Sequence, residues 1–242
     1  MAIIQQIVSA KAQSRKLLVV LVDPDKPAAV DAVCPYLSLS DMIFVGGSTG
    51  QQCEECIAQL RMVTERPVVL FPGNIAQFTP NADALLFLTL LNARTPDILI
   101  EPHIQVAQQV LQSGIETISM GYILIDGDRK SSVEIATKCT PIRQNEVDEI
   151  VSTAIAGQLL GKQLIYLEAG SGAKTPISTE IIHAVRAQLN IPLIVGGGIT
   201  TPEAMLRAFE AGADVVVIGN HFEQSPDKIG EFVRIKQEKY GE

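Results

Sequence analysis

The 242-residue chain is short of positive charge: 19 Lys and Arg stand against 27 Asp and Glu, a formal net charge of −8. Binding along a nucleic-acid backbone needs a cationic footprint, so nucleic acid is excluded as the main partner. Long hydrophobic runs are missing as well. The longest apolar stretches, residues 17–22 and 84–91, fall well short of the roughly 20 residues that span a bilayer, and no transmembrane helix is expected. The opening Met1-Ala2-Ile3-Ile4-Gln5-Gln6-Ile7-Val8 has no basic leader before an apolar core, so it does not read as a signal peptide, and a cytoplasmic location is expected. With four Cys and three His, the chain is poor in soft metal ligands. Cys53-Glu54-Glu55-Cys56 has the spacing of half a metal or redox motif. With no second pair, a structural reading is favoured, both thiols lying on or near one helical face. No Ser/Gly/Pro-rich linker divides the chain, and 47% apolar against 19% charged residues excludes disorder. One domain over 1–242 is expected, a length that suits a (β/α)8 barrel of about 250 residues.

What is present is a regular alternation. Buried-type strands are expected at Leu17 to Asp23, Met42 to Gly47, Pro67 to Phe71, Ala84 to Leu90, Glu116 to Tyr122, Gln163 to Glu168, Leu193 to Ile199 and Asp214 to Asn220. Helices are expected from Pro27 toward Tyr36, from about Gln51 to Thr64, from Glu101 to Ser113, from Glu146 to Leu160 and from Pro226 to Tyr240. The segment from Asn74 to Asn81 is short for a barrel helix and is expected to be irregular. From Ile125 to Asn145 runs a long polar connection of the kind that serves as a lid or binding loop. Eight strands with helical crossovers and no hairpin signal predict an α/β fold, a single-domain TIM (β/α)8 barrel. An open Rossmann sheet would want Gly-x-Gly-x-x-Gly after the first strand, and Val22-Asp23-Pro24-Asp25-Lys26 does not supply it.

Barrel chemistry gathers at the C-terminal ends of the strands. Strands seven and eight end in Gly196-Gly197-Gly198 and Gly219-Asn220, each just before a helix, where backbone N–H groups form a phosphate cup. Thr201 as N-cap, Pro202 and Glu203 mark the helix start after the first of them. After strand six, Ala169-Gly170-Ser171-Gly172-Ala173-Lys174 adds small residues that let an anion approach. Strand alternation puts Leu164, Tyr166 and Glu168 on one, inward face. Asp23 and Ser48, at neighbouring strand ends, make an incomplete oxygen shell that suits Mg²⁺. Taken singly, Asp23 also reads as a turn aspartate before Pro24, Ser48 as a helix N-cap and Glu168 as a salt-bridged barrel carboxylate.

Together the motifs Asp23-Pro24-Asp25-Lys26, Val45-Gly46-Gly47-Ser48, Tyr166-Leu167-Glu168-Ala169-Gly170-Ser171-Gly172, Val195-Gly196-Gly197-Gly198-Ile199 and Ile218-Gly219-Asn220 closely resemble the geranylgeranylglyceryl phosphate synthases and their PcrB-type relatives. They run in order over nearly the whole chain, and the Tyr-Leu-Glu-Ala-Gly-Ser-Gly run is the most specific. The resemblance implies an Mg²⁺-dependent prenyltransferase that joins a polyprenyl diphosphate, geranylgeranyl in the first instance, to the C3 hydroxyl of sn-glycerol 1-phosphate. Carried over, Asp23 and Ser48 hold Mg²⁺. Tyr166, Leu167, Glu168, Ala169, Gly170, Ser171, Gly172, Gly197, Gly198, Gly219 and Asn220 bind glycerol phosphate. Tyr166 and Glu168 take the catalytic roles: the carboxylate stabilises the allylic cation and accepts the hydroxyl proton, and the ring shields the cation. A homo-oligomer and a peripheral membrane contact for product release are also implied. PcrB-type heptaprenyl enzymes carry Lys two places before the metal aspartate. Here that position is Leu21, which favours the geranylgeranyl branch. The poorly helical stretch with Phe71, Ile75, Phe78 and then Phe87 is where an opening for the prenyl tail is expected, each of these residues taken singly reading as ordinary core. The alternatives are a heptaprenylglyceryl phosphate synthase, another phosphate-binding barrel isomerase or lyase, and a non-catalytic phospholigand-binding barrel.

Overall fold

A computed structural model describes residues 1–47 and 52–241 of the chain. Eight parallel strands close into a barrel in sequence order: β1 (Leu17–Val22), β2 (Met42–Val45), β3 (Val68–Leu70), β4 (Ala84–Leu90), β5 (Glu116–Leu124), β6 (Leu164–Glu168), β7 (Leu193–Gly196) and β8 (Val215–Ile218). Closure is made by β8 pairing with β1, Val215 opposite Leu17 and Val217 opposite Val19. The helices are α1 (Ile3–Ala12), α2 (Pro27–Val33), α3 (Cys53–Arg61), α4 (Pro96–Leu99), α5 (Glu101–Ser113), α6 (Ser132–Thr137), α7 (Val147–Leu159), α8 (Thr179–Gln188), α9 (Pro202–Glu210), α10 (Asn220–Gln224) and α11 (Ile229–Tyr240).

The strand pattern explains the two apolar layers. Because successive side chains point to opposite faces, Val19, Phe44, Val69, Leu86, Met120, Leu164, Ile194 and Val217 fill the barrel, while Leu18, Ile43, Leu70, Ile165, Leu167, Val195 and Val216 pack against the helices. Both layers are needed: a sheet buried on both faces has no polar side to show to water.

Three expectations are adjusted and a fourth is met. The helix from Pro27 tightens into a 3₁₀ turn at Cys34–Leu39, where Pro35 has no N–H to continue the α-helical ladder. The helix expected over 51–64 spans Cys53–Arg61, Gln51 lying outside the described residues. The segment after β3 is irregular as expected, a single 3₁₀ turn at Ile75–Gln77. The long 125–145 connection is not wholly irregular, because Ser131 accepts the N–H of Glu134 at 3.1 Å and so caps α6. Its return is pinned by Ile142, which bridges to Ile125 and donates its N–H to Leu124 O at 3.0 Å.

All four cysteines are buried, Cys53 and Cys56 sharing the inner side of α3. Burial pushes the Cys53 thiol up to about 11 and that of Cys56 up to about 12, so neither is a thiolate at neutral pH, in keeping with a packing role.

Helix α1 adds its Ile3, Ile7 and Ala10 to the interior layer, and so covers the N-terminal end of the barrel. Its own first turn has no local side-chain cap. The cap comes from 113 residues away: the Glu116 carboxylate at the start of β5 accepts the N–H groups of Ile3 (2.6 Å) and Ile4 (2.8 Å). An anion at that position satisfies two donors and faces the positive end of the helix. Glu116→Ala is expected to lower stability by about 1–2 kcal/mol. Urea unfolding of the two proteins measures it, and equal midpoints would remove the cap from the account.

Candidate active site

Strand β6 is buried from end to end, and its alternation sends Tyr166 and Glu168 toward the axis at the C-terminal mouth. The ladder sets Tyr166 opposite Tyr122 of β5 and Ile194 of β7, and Glu168 opposite Leu124 and Gly196. Glu168 is only 7% exposed. Its Oε1 accepts the Gly170 N–H at 2.7 Å, and the Tyr166 hydroxyl donates to its carboxylate. Burial pushes the Glu168 carboxyl above the ordinary carboxylate range, and these two hydrogen bonds oppose the shift. Burial and the nearby Glu168 charge push the Tyr166 and Tyr122 phenols well above their ordinary value, so both stay neutral.

Three rings crowd around that carboxylate. Phe71 stacks on Tyr166 at 5.5 Å between centroids, and Tyr122 meets Tyr166 edge-on at 5.4 Å. The space for this group comes from β7. A Cβ on Gly196 would lie 2.2 Å from the Tyr166 hydroxyl oxygen, and one on Gly197 would lie 2.6 Å from Glu168 Oε1. Gly197 also has φ +83°, a left-handed conformation that side chains resist.

Beside this group lies the expected cup. Ser171 Oγ donates to Asn220 Oδ1 at 3.1 Å, tying the loop after β6 to the start of α10. Gly172, Gly197, Gly198 and Gly219 line the same hollow. Thr201 caps α9 as its sequence predicts, accepting the Ala204 N–H. On the other side of the mouth, Asp23 Oδ1 accepts the Asp25 N–H at 3.1 Å. The Lys26 ammonium lies 3.2 Å from Asp23 Oδ2 and 2.8 Å from Glu223 Oε2.

The Tyr166–Glu168 pair, the glycine rim, Ser171, Asn220, Asp23 and Glu223 line one cavity of about 600 Å³. Its mouth carries Asp23, Tyr166, Glu168, Ser171, Gly172, Gly197, Gly198, Gly219 and Asn220, and an apolar arm leads away past Phe71, Ile75, Phe78 and Phe87. All four aromatic and aliphatic residues named from sequence for the tail therefore border the arm. Sequence reasoning missed Tyr122, the far wall of Ile98, Pro102, His103 and Val106 from α4 and α5, and Val133 and Ala136 from α6. Tyr122 carried a usable signal, since it ends the expected fifth strand. The far wall did not, because only barrel closure brings α5 and α6 to the arm.

The Leu167 side chain packs in the outer layer against the helices, as strand alternation demands, which leaves only its backbone for a ligand. Ala169 also faces that layer, and Gly170 acts through its N–H on Glu168 rather than by lining the cavity. Ser48 lies outside the described residues. Among the described residues no three His, Cys, Asp or Glu converge as a metal centre. Asp23 and Glu223 nevertheless share one cation, the Lys26 ammonium. That is the donor chemistry of an incomplete, all-oxygen shell, which fits a Mg²⁺ that takes its other ligands from water and phosphate.

The fold and the site define a phosphate-binding TIM barrel with an apolar arm joined to its mouth. The PcrB family description matches residues 10–236. The geranylgeranylglyceryl phosphate synthase of Zunongwangia profunda is 46% identical over 231 residues, covering 93% of this chain and 99% of that protein. The protein of the same name from Flavobacterium johnsoniae is 45% identical over 225 residues, covering 90% and 93%. Among solved structures, the (S)-3-O-geranylgeranylglyceryl phosphate synthase of Thermoplasma acidophilum, in complex with its substrate sn-glycerol-1-phosphate, superposes with a TM-score of 0.90 at 30% identity, covering 98% and 99% of the two chains. The chain belongs to the PcrB family, with the geranylgeranylglyceryl phosphate synthases.

Gly197→Ala places a methyl group against Glu168 in an unfavourable backbone conformation, at an expected cost of about 1–3 kcal/mol. Thermal denaturation measures this. A variant as stable as the parent would show that the glycine is not there to admit the carboxylate.

Proposed function

We propose that this protein transfers a polyprenyl group, geranylgeranyl in particular, from its diphosphate to the C3 hydroxyl of sn-glycerol 1-phosphate, releasing pyrophosphate. The observation that carries the reading is the continuity of the cavity. A glycine-rich rim and an apolar arm meet at a buried carboxylate wrapped in aromatic rings. A substrate pair with one small anionic member and one long apolar member fits those two ends. The names of the relatives, and the substrate held by the Thermoplasma acidophilum protein, agree with both.

The chemistry follows from what lines the junction. The prenyl C1–O bond breaks and its electron pair leaves with the diphosphate. Positive charge develops on the allylic carbons, and the faces of Tyr166, Tyr122 and Phe71 are suited to meet it. The acceptor hydroxyl forms the new C–O bond and gives its proton to the Glu168 carboxylate, which the Tyr166 hydroxyl and the Gly170 N–H hold in place. Asp23 and Ser48 would hold Mg²⁺, which when bound would supply positive charge to neutralise the departing diphosphate. Asp23, Lys26 and Glu223 hold alternating charges at that end of the mouth, ready to receive a cation and its anionic ligand.

Leu21 lines the cavity where a Lys would mark the heptaprenyl branch, which supports the geranylgeranyl donor. No helix among the described residues is long and apolar enough to cross a membrane. Peripheral contact at a membrane for product release is supported by exposed Ile75, Ile100 and Ile104 on the segments that border the apolar arm. Assembly as a homo-oligomer is supported by further exposed apolar side chains, Leu111, Leu159 and Leu160.

Purified protein given Mg²⁺, glycerol 1-phosphate and a ladder of prenyl diphosphates should form the ether, best with the geranylgeranyl donor; no product with any donor overturns the reading. Chelation of the metal should stop turnover and added Mg²⁺ restore it, whereas turnover that survives chelation removes the metal role of Asp23.

Glu168 acts as a base only when ionised. Since burial raises its folded-state value, turnover should fall on acidification through a limb lying above the ordinary carboxylate range. Glu168→Gln should lower kcat by roughly 10²–10⁴-fold and abolish that limb. A near-normal rate in the variant would take Glu168 out of the proton transfer.

A further inference from the structure

The long connection after β5 holds a cation against the phosphate cup. Residues 126–131 are stitched to the loop that follows β6. Lys174 and Thr175 both donate their N–H groups to Gly127 O, at 2.9 and 3.2 Å, and the Thr175 hydroxyl bonds the Asp128 carboxylate. Ser131 is buried against Gly170, where an added Cβ would lie 2.6 Å from its own Cβ. Asp128, in a left-handed conformation at φ +58°, donates its N–H to Asp126 Oδ1 at 2.9 Å. The next residue, Arg129, is thereby laid over the cup. Its Nη1 donates to Gly172 O at 3.3 Å. The point that a Cβ on Gly172 would occupy lies 2.9 Å from that Nη1 and 3.4 Å from Asn220 Nδ2, so guanidinium and amide converge on one spot of the rim.

The charge of the cavity gives this position its meaning. Among the described residues, the acidic side chains that line it are Asp23, Glu168 and Glu223; no Lys or Arg lines it, and the neighbouring Lys26 is already held between Asp23 and Glu223. A phosphate dianion on a rim of backbone amides alone would face that like charge with only partial positive charges to hold it. Arg129 is exposed and spends a single donor on the Gly172 carbonyl, leaving four of its five N–H groups for a ligand.

We propose that Arg129 is a phosphate-binding residue of this site, a guanidinium clamp that the 125–145 connection closes on the phosphomonoester held by Ser171, Gly172 and Asn220. The proposal rests on the acceptor assignment above, and its test separates the two. Glycerol 1-phosphate and inorganic phosphate are titrated calorimetrically into the parent protein, Arg129→Gln and Arg129→Lys. Arg129→Gln should weaken both ligands by roughly tenfold or more, the loss of a charge-assisted bond, with Arg129→Lys recovering part of it. The KM for the acceptor should rise while the KM for the prenyl donor holds, and melting temperature should be unchanged because the side chain is exposed. A loop-anchoring role would instead move the melting temperature and leave phosphate affinity alone. Affinities in Arg129→Gln within twofold of the parent overturn the clamp. Weaker phosphate binding in the variant of a parent that ignores glycerol 1-phosphate would keep the clamp and sink the acceptor assignment.

Discussion

The site depends on keeping one carboxylate inside the barrel mouth. Glu168 sits where water has little access, and burying such a group costs several kcal/mol unless it is hydrogen-bonded or neutralised. The protein meets that cost with two donors, the Tyr166 hydroxyl and the Gly170 N–H, both set by the register of β6 and the turn that follows it. The consequence reaches the neighbouring strand. Gly196 and Gly197 must lack side chains because Tyr166 and Glu168 already occupy their space. The glycines that mark the cup in the sequence therefore also leave room for the Tyr166–Glu168 pair from across the barrel.

Around that pair the barrel divides into two chemical ends. One is a rim of glycine backbone, Ser171 and Asn220. The other is an apolar arm built from the irregular segment after β3, from α4 and α5, and from α6 in the long connection. An ordinary barrel helix after β3 would close this arm. The 3₁₀ turn at Ile75–Gln77, held by Gln77 between the Gly73 N–H and the Gly47 carbonyl, leaves it open. A loss of regular structure at one crossover thus becomes room for a long substrate.

Much of this was legible in the residues. Strand positions, inward Tyr166 and Glu168, the glycine cup, the short segment after β3 and the cavity-lining Phe71, Ile75, Phe78 and Phe87 all follow from local patterns, because alternation and breakers act within a few residues. The parts that stayed hidden depend on contacts distant in sequence. Helix α1 carries Ile3, Ile7 and Ala10 at helical spacing, but its cap is Glu116, which no local pattern identifies. Helix α6 lies within a polar stretch with few apolar positions, and Arg129 reaches the cup only because Gly127 and Asp128 are tied to the loop after β6. Leu167 shows the opposite limit: a conspicuous motif runs through it, yet its side chain faces away from the cavity.

A phosphate seated on the rim would leave the acceptor's free hydroxyl pointing at Glu168. A crystal structure of this protein with sn-glycerol 1-phosphate tests it directly. The phosphate should lie against Ser171, Gly172, Gly198 and Asn220, with the C3 hydroxyl within hydrogen-bonding distance of the Glu168 carboxylate. A phosphate seated at the Asp23 end of the mouth, or a C3 hydroxyl turned away from Glu168, would contradict it.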